Sequence, residues 1–413
     1  MMKILLISNN EICYNARLLK AADYFSEKKC EVAIFNPVTG IANENVYRKS
    51  IANKNWKVIE NDISKRTVIS YLRWLYISTI NKLISVLWNR FRSKIGFKYY
   101  MNKGLWRAER KIKGKYDFIL IHLVDNLPFA VDLKKKTGAK IIYDSQEYFV
   151  GQYNKYAPAL RDWVHYAEPA YINEVDILLA TTNVMLQQLQ KDYKLSIPVI
   201  RVRNLPSMTM LKDVQYSNLR HIKEDALLLV WHGMTIYFNN TRGVHILLKA
   251  VANCRNKVVL TLQGLITEEQ KNIFDNYVQE LNLQNKVRLH PPADPYHIVE
   301  SLTNYDAGII GELPQEENQM LTSSNKLFDF INAGLAVIAS DMPGLNETID
   351  EYKLGYSYPA GDYNRLAALI DSLAENREQL QQFKNRAREV SQKELFWEKD
   401  YELVWNELVK SNH

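Results

Sequence analysis

The sequence is poor in three residue types that mark particular classes of protein. It has only 3 cysteines, 15 glycines and 12 prolines in 413 residues. Cys13, Cys30 and Cys254 lie far apart, so they predict neither a disulfide framework nor a Cys-x-x-Cys metal site, and we expect them to be reduced and buried. The low glycine and proline content excludes collagen-like and low-complexity chains, and 25 tyrosines, 13 phenylalanines and 8 tryptophans exclude a disordered chain.

Long apolar runs are also missing. No stretch approaches the roughly 18 consecutive apolar residues of a membrane-spanning helix. The apolar run at the start of the chain, residues 4–7, is too short for a signal peptide, and no small-residue cleavage site follows it. Together with reduced cysteines, these absences predict a cytoplasmic protein.

Acidic residues are nearly absent from residues 65–115, which we call the basic aromatic segment. It holds 14 lysines and arginines and one acidic residue, Glu109, so it carries a formal charge of +13 while the rest of the chain carries −6. Apolar and aromatic residues recur between these charges at helical spacing. They include Tyr71, Leu72, Trp74, Leu75, Tyr76, Ile80, Leu83, Ile84, Leu87, Trp88 and Phe91.

Three interpretations fit the basic aromatic segment: a solvated helical face, a nucleic-acid-binding surface, or an interfacial surface on an anionic membrane. Its charge exceeds that of an ordinary protein surface. No nucleic-acid-binding module accompanies it, and the remaining chain is acidic. A helix face with aromatic and aliphatic residues and flanking bases is typical of the headgroup region. We therefore predict an anionic membrane surface, and no nucleic acid, as a partner of residues 65–115, with the protein peripheral on the inner face of the cell membrane.

Short apolar runs alternate with helical patterns along the rest of the chain. The runs are residues 3–8, 31–35, 118–122, 140–143, 176–181 and 199–202 in the first half, and residues 227–231, 258–262, 287–289, 307–310 and 336–340 in the second. They are continuously apolar, as in parallel strands covered on both faces. Repeated βα units predict an α/β protein with two doubly wound, Rossmann-like domains.

The domain limits follow from a polar stretch after residues 204–207. We predict an N-terminal domain over residues 1–205, a C-terminal domain over residues 206–395, and a final amphipathic helix within residues 396–413. In such sheets ligands bind beyond the carboxyl ends of the strands. The cleft between two facing domains is therefore the expected site.

The residues most informative about function run from 323 to 344. Ser323 or Ser324 can cap a helix that begins directly after them. Lys326 and Asp329 are three residues apart, so they share one face of its first turn. The N–H groups of the helix start, with Lys326, could bind phosphate oxygens, and Asp329 could accept hydrogen bonds from ribose hydroxyls. On spacing alone, a capped amphipathic helix with a surface ion pair is the other interpretation.

This stretch resembles the donor-site motif of GT-B glycosyltransferases of family 4, also described as glycosyl transferases group 1. In that family a helix reading N-K-L-F-E-Y precedes A-G-x-P-V-I-A-S, and here residues 325–330 read NKLFDF and residues 333–340 read AGLAVIAS. Further similarities lie at residues 15–20 (NARLLK), 143–147 (YDSQE), 231–233 (WHG), 241–244 (TRGV) and 396–398 (FWE). The resemblance covers nearly the whole chain and is weakest over residues 49–115. It implies the GT-B fold, with a C-terminal helix that crosses back to the N-terminal domain.

The resemblance implies a nucleotide-sugar site in the C-terminal domain. Asp329 stands where a glutamate binds the ribose, and Arg242 stands where a basic residue binds the diphosphate. Leu321 replaces another motif glutamate, and Met234 replaces a second basic residue, so Lys326 is expected to supply the missing charge. The expected donor-binding residues are Gly233, Arg242, Ser323, Ser324, Asn325, Lys326, Asp329 and His290.

The resemblance also places acceptor and sugar contacts in the N-terminal domain. His122 stands where the family has a histidine near the reactive face of the sugar; a strand-end histidine bonded to a loop is the structural alternative. The expected residues on the acceptor side are Asn9, Asn10, Asp125, Asp144 and Glu147. The expected catalytic residues are His122, Arg242 and Lys326. Two cations and a helix N-terminus can stabilise a departing diphosphate without a metal, and the sequence has neither an Asp-x-Asp motif nor a histidine cluster to predict one.

These features predict a glycosyltransferase that moves a sugar from a nucleoside-diphosphate-sugar to an acceptor hydroxyl. The resemblance implies retention of anomeric configuration, no metal or other cofactor, and a lipid-linked saccharide acceptor in bacterial surface-polysaccharide biosynthesis. The alternative is a non-catalytic relative that binds a sugar nucleotide or a partner glycosyltransferase, because Leu321, Met234 and Gln146 depart from the family pattern. A sugar-nucleotide epimerase is a further alternative, which turnover without an acceptor would reveal.

Overall fold

The chain forms two compact units, each with its own parallel β-sheet. The structure, a computed structural model, describes all residues except 9, 92, 94, 95, 102–104, 106, 107, 153–157, 212, 213, 215–225, 239, 240, 295, 296 and 413. The first unit contains Met1–Arg203 and Asp400–His413, and the second contains Asn204–Lys399.

The sheet of the first unit has seven strands in the described part of the chain. They are β1 (Lys3–Ile7), β2 (Glu31–Val38), β3 (Lys57–Asp62), β4 (Phe118–His122), β5 (Lys140–Ser145), β6 (Ile177–Ala180) and β7 (Val199–Arg201). Their order across the sheet is β3-β2-β1-β4-β5-β6-β7. Ile4 of β1 pairs with Val32 on one side and Phe118 on the other. The winding direction therefore reverses between β1 and β4.

The helices of the first unit lie between these strands. They are α1 (Ala16–Glu27), α2 (Glu44–Ile51), α3 (Val68–Phe91), α4 (Leu127–Thr137), α5 (Phe149–Gln152), α6 (Pro158–Tyr171) and α7 (Asn183–Tyr193). Helix α1 begins where the Asn15 side chain accepts a hydrogen bond from the Leu18 N–H, and Thr182 caps α7 through the Met185 N–H in the same way. Within the described part of the chain, each helix is too short or too polar to cross a membrane.

The second unit repeats this arrangement. Its strands are β8 (Leu227–Thr235), β9 (Val258–Leu265), β10 (Val287–His290), β11 (Ala307–Ile310), β12 (Ala336–Ser340) and β13 (Gly355–Tyr358), in the order β10-β9-β8-β11-β12-β13. Its helices are α8 (Met208–Leu211), α9 (Val244–Asn253), α10 (Glu268–Glu280), α11 (Ile298–Leu302), α12 (Glu317–Leu321), α13 (Asn325–Asn332), α14 (Pro343–Tyr352), α15 (Tyr363–Glu375) and α16 (Arg377–Lys393). Ala336 and Ile338 belong to one buried cluster while Val337 and Ala339 belong to another, so both faces of β12 are covered.

The last helix, α17 (Trp397–Ser411), carries the chain back into the first unit. Its anchor is a buried ion pair. Asp400 accepts from Arg203 Nη2 at 2.6 Å, from Nε at 3.0 Å and from the Arg203 backbone N–H at 2.8 Å. Both side chains are almost fully buried. Tyr401 packs edge-on against Tyr24 of α1 at 5.5 Å between ring centroids, so helix α17 completes the core of this unit.

The predicted apolar runs all form strands, but two strands, β3 and β13, were not predicted. Both lie at a sheet edge, and most of their residues are half-buried or exposed, Asn61 and Tyr358 being the buried ones. Continuous apolar character therefore does not reveal them. Of the cysteines, Cys30 and Cys254 are buried as predicted, whereas Cys13 is only half-buried.

A buried carboxylate organises the loop after β2. Glu11 accepts hydrogen bonds from the backbone N–H groups of residues 39–42 and from the Thr39 hydroxyl. Burial by itself would raise the pKa of Glu11, but these hydrogen bonds outweigh it and hold the pKa below its usual value. The charged form is therefore the one that the folded protein favours.

We expect Glu11→Gln to lower the free energy of unfolding by about 1–3 kcal/mol at pH 7, because backbone donors lose a charged acceptor. A carboxyl whose pKa falls on folding stabilises above its unfolded pKa and loses that contribution as the pH drops through its folded pKa. The gap between wild type and variant should thus close below about pH 4.5. Thermal midpoints from pH 3 to 8 would measure it, and a gap that widens in acid would contradict the prediction.

Candidate active site

The candidate site of the second unit lies where the winding of its sheet reverses, between β8 and β11. Open α/β sheets bind ligands beyond the carboxyl ends of the strands at this point. Strand β8 passes through His232 and Gly233 near its end, and Ile310 ends β11, directly before Gly311 and Glu312. The polar residues that follow these two strands are therefore candidates for ligand contacts.

Two glycines bring the loops after β8 and β11 together. Gly243 has φ +64°, which favours glycine, and a Cβ atom there would lie 1.7 Å from the Gly311 carbonyl oxygen. The Leu313 N–H donates to the Thr241 carbonyl at 3.0 Å. This contact places Arg242, immediately before α9, next to Glu312.

Glu312 holds three donors around one carboxylate oxygen. Its Oε1 lies 2.8 Å from Lys326 Nζ, 3.1 Å from Ser324 Oγ and 3.4 Å from Arg242 Nη1. We call these four residues the Lys326 cluster. The side chains of Lys326 and Glu312 are 8% and 12% exposed, whereas Arg242 is 50% exposed. Burial by itself would raise the pKa of Glu312, but the Lys326 and Arg242 charges and the hydrogen bonds from Lys326 and Ser324 together outweigh it and lower the pKa, so Glu312 is a carboxylate.

Helix α13 is positioned by packing as well as by this ion pair. A Cβ atom on Gly308 of β11 would lie 2.2 Å from the Phe330 ring, so only glycine lets α13 approach the strand this closely. Ser324 precedes the helix, but its hydroxyl bonds Glu312 rather than capping a helical N–H. Lys326 also lies 5.6 Å above the Trp231 ring, a cation–π contact that fixes its ammonium group.

Asp329 lies one turn further along α13, next to His232. The distance from Asp329 Oδ2 to His232 Nε2 is 3.3 Å, and Asp329 retains 24% of its side-chain exposure. Burial raises the pKa of Asp329 to about 7, and burial with the nearby Lys326 charge lowers the pKa of His232 to about 3. The imidazole is therefore neutral at neutral pH. Asp329 remains accessible enough to accept a hydrogen bond from a ligand hydroxyl.

The other predicted donor residues lie around this cluster or apart from it. Gly233 lies beneath Trp231, where a Cβ atom would come within 2.8 Å of the indole ring. The Ser323 hydroxyl is buried with no hydrogen-bond partner among the described residues. Asn325 is exposed and accepts from Asn204. His290 ends β10 and lies 3.4 Å from the Tyr305 hydroxyl, away from the cluster's contacts.

Glu312 is the residue that sequence reasoning missed. Leu321, where the family pattern has a glutamate, lies at the end of α12, and the carboxylate near Lys326 comes instead from a residue nine positions earlier. A signal exists in the sequence, because Glu312 is the first charged residue after the apolar strand β11. This signal places Glu312 after the end of a strand, but it does not predict which residues Glu312 contacts.

The first unit has its own polar group at the reversal between β1 and β4. Asp144 at the end of β5 accepts from Arg17 Nε at 2.6 Å and from Arg17 Nη2 at 2.8 Å, and Nη2 also donates to the Val202 carbonyl. His122 Nε2 lies 3.5 Å from Asp144. His122 is fully buried, and neither ring nitrogen has a hydrogen-bond partner among the described residues. Burial lowers the pKa of His122 to about 4, so it is neutral.

The backbone beside His122 is strained. Leu123 has φ +64°, an unusual conformation for a branched residue, and its N–H donates to the Asp144 carbonyl. Asp125 follows in a half-buried turn, where Asn126 bonds the carbonyls of Ile7 and His122. This turn therefore ties the ends of β1 and β4 together.

The remaining predicted acceptor residues are less constrained. Asn10 is exposed, and Glu147 is half-buried, with its carbonyl accepting from Ser145. Asn9 lies outside the described residues. Among the residues that the structure describes, no group of three or more histidine, cysteine, aspartate or glutamate side chains is arranged to hold a metal ion.

Comparison with known families concerns the second unit most directly. Residues 237–390, which include Arg242, Glu312 and Lys326, match the family model described as Glycosyl transferases group 1. The sequence has no match among curated proteins.

Solved structures match the chain over almost its full length. Sucrose-phosphate synthase from Thermosynechococcus elongatus matches with 14% identity and a TM-score of 0.65 over 100% of both chains. HepE from Anabaena, in complex with UDP and glucose, matches with 12% identity and a TM-score of 0.63 over 99% of this chain and 100% of its own. The apo form of the lipopolysaccharide outer core galactosyltransferase WaaB matches with 14% identity and a TM-score of 0.61 over 100% of both. The fold is thus GT-B, and the α/β fold class predicted from the sequence is confirmed.

Proposed function

We propose that this protein is a glycosyltransferase that moves a sugar from a nucleoside-diphosphate-sugar to an acceptor hydroxyl. The observation that carries the proposal is the Lys326 cluster. A buried lysine, a half-exposed arginine and a serine hydroxyl converge at the carboxyl edge of the second sheet, within the residues that match the group 1 glycosyltransferase model. This is the chemistry that a diphosphate requires.

In this proposal the donor diphosphate replaces Glu312 as the anionic partner of Lys326 and Arg242. Lys326 and Arg242 bind its oxygens, and Glu312 turns toward donor hydroxyls. Asp329, one turn along α13, accepts from the ribose hydroxyls. HepE, of the same fold, is in complex with UDP and glucose, which supports a donor of this class.

We propose the retaining reaction that the resemblance to group 1 glycosyltransferases implies. The bond between the anomeric carbon and the diphosphate oxygen breaks, and a bond from the acceptor oxygen to the same carbon forms on the same face of the sugar, which retains the configuration. The acceptor proton passes to the departing diphosphate. Lys326 and Arg242 stabilise the charge that develops there, without a metal. His122 is fully buried, so we propose that it positions the sugar through the strained turn that follows it rather than by direct contact.

We further propose a lipid-linked saccharide as the acceptor, at the inner face of a bacterial cell membrane and in the assembly of surface polysaccharide. WaaB, with the same fold, is described as a lipopolysaccharide outer core galactosyltransferase. The basic aromatic segment, in the first unit, is consistent with an acceptor held at an anionic surface.

Thermal stabilisation by a panel of nucleoside diphosphates and sugar nucleotides tests the donor site. A ligand at 100 times its Kd should add about 2.7 kcal/mol. We expect one nucleotide to stabilise the wild type, and Lys326→Ala and Asp329→Ala to abolish the shift. Lys271→Ala is the matched control, because Lys271 also pairs with a carboxylate, Asp275 at 2.7 Å, but lies on the exposed face of α10.

The same panel separates the proposal from its alternative. A stabilising sugar nucleotide whose sugar is then transferred to a saccharide acceptor, with release of the nucleoside diphosphate, supports catalysis. Binding without transfer to any acceptor would favour a non-catalytic sugar-nucleotide-binding protein. A flat panel at saturating ligand would contradict the proposed donor site and favour the non-catalytic alternative that binds a partner glycosyltransferase.

A further inference from the structure

Helix α3 has one side buried against the first unit. Ser70, Ile77, Asn81 and Ile84 are buried along it. Trp88 stacks on Phe97 with 3.8 Å between ring centroids. These positions are seven, four, three and four residues apart, that is, one or two helical turns, so they form one stripe of the helix. The helix is therefore docked on its own unit through this stripe.

The opposite side of α3 is apolar and exposed. Val68, Leu72, Leu75, Leu83 and Val86 are 76%, 57%, 45%, 58% and 55% exposed. Their spacing is also three to four residues, with only Thr79 intervening on the same line, so they form a second stripe, which we call the outer stripe. It runs for about 27 Å along the helix axis. Large apolar side chains gathered on one exposed face mark a binding surface.

This arrangement corrects the expectation drawn from the sequence. That expectation put Ile84 and Trp88 on the membrane-facing side with Leu72 and Leu83. The structure places Ile84 on the buried stripe and stacks Trp88 on Phe97, so the exposed face has a different composition. Apolar residues lie on both sides of α3, so spacing alone gives no single polar side by which to orient it.

The charges beside the outer stripe are of one sign. Helix α3 contains no acidic residue, and Lys82 and Arg90 are exposed at its edges. At its N-terminal end Lys65 lies over the Trp74 ring at 3.8 Å. The surface therefore combines an apolar stripe with neighbouring lysine and arginine side chains, and no acidic side chain occurs anywhere along the helix.

We propose that the outer stripe of α3 is a docking surface for an anionic lipid membrane, with the helix lying flat in the headgroup region. An interfacial helix needs this combination of a long apolar face and flanking bases. A second copy of the chain fits this surface less well. If the outer stripes of two copies packed together, Lys82 and Arg90 of both copies would come close to one another with no acidic residue between them. A surface that binds nucleic acid would need lysine and arginine side chains, rather than aliphatic ones, along the outward face.

Sedimentation of the full chain with lipid vesicles tests this proposal. We expect binding to vesicles with 30% phosphatidylglycerol, at least tenfold weaker binding to pure phosphatidylcholine, and weaker binding in high salt. The variant Leu72→Ser, Leu83→Ser, Val86→Ser should lose at least tenfold in partitioning. Leu403→Ser is the matched control, because Leu403 is 55% exposed on α17 of the same unit.

The outcomes separate the occupants and keep this inference distinct from the proposed function. Retained vesicle binding by the triple variant, or equal binding to neutral and anionic vesicles, would overturn the proposal. A dimer in light scattering that the triple variant abolishes, without vesicle binding, would assign the stripe to a second copy instead. Nucleotide stabilisation of the triple variant should equal that of wild type, so failed vesicle binding says nothing against the donor site.

Discussion

Replacing Lys326 by alanine is expected to lower transferase turnover by more than about 100-fold, a loss of about 2.7 kcal/mol of transition-state stabilisation. The reason is that the ammonium group lies in a site with little water, where its attraction to a departing diphosphate is strong. Arg242→Ala should have a loss of similar size. The measurement is the steady-state rate of nucleoside diphosphate release with acceptor present.

Folding must be separated from catalysis in this test. Without Lys326 the Glu312 carboxylate keeps its burial and loses its nearest cation, so the single variant should also be less stable. Lys326→Ala combined with Glu312→Gln should recover the stability but not the turnover. Arg255→Ala matches Arg242→Ala in charge, because Arg255 is an exposed arginine of the same unit that contacts Asp371. Near-normal turnover in both the Lys326 and the Arg242 variants would show that these roles are wrong.

Replacing Arg17 by methionine is expected to destabilise the first unit by about 3–5 kcal/mol. The Asp144 carboxylate would keep its burial and lose two hydrogen bonds from the guanidinium group. Thermal and urea unfolding would measure the loss. Arg17→Lys should cost less, since it keeps the charge but not the two-pronged contact.

A second readout tests the network rather than stability alone. The Arg17 charge contributes to the low pKa of His122, after burial, while Asp144 opposes it. Removing Arg17 should therefore raise the pKa of His122 from about 4, which the ring resonances in an NMR titration would report. Arg17→Gln provides the same test if the methionine variant does not fold, whereas Arg17→Lys keeps the charge and should leave the pKa of His122 near 4. An unchanged His122 pKa in the variant that lacks the charge would contradict this coupling.

The sequence predicted several residues of the second unit's site, but it predicted few of the contacts between their charges. Lys326 and Asp329 share a helix turn, so their common location follows from local spacing. Arg242 comes from a loop about 80 residues earlier, and the contacts of Gly243 with Gly311 and of Thr241 with Leu313 bring it to Glu312. The Asp329–His232 contact also joins two distant elements. No local sequence pattern predicts contacts between residues so far apart in the chain.

What the sequence determined by itself was the alternation of apolar strands and amphipathic helices, because burial on both faces of a parallel strand demands continuous apolar runs. It also determined the start of α13, because the polar residues before it and its spacing of Lys326 and Asp329 are local. Tertiary structure alone decided that Glu312 neutralises the Lys326 cluster and that Arg17 holds Asp144 beside His122. It also decided which side of α3 faces outward. Each of these depends on where separate elements pack, and packing depends on the sum of contacts across the sheet rather than on any one segment.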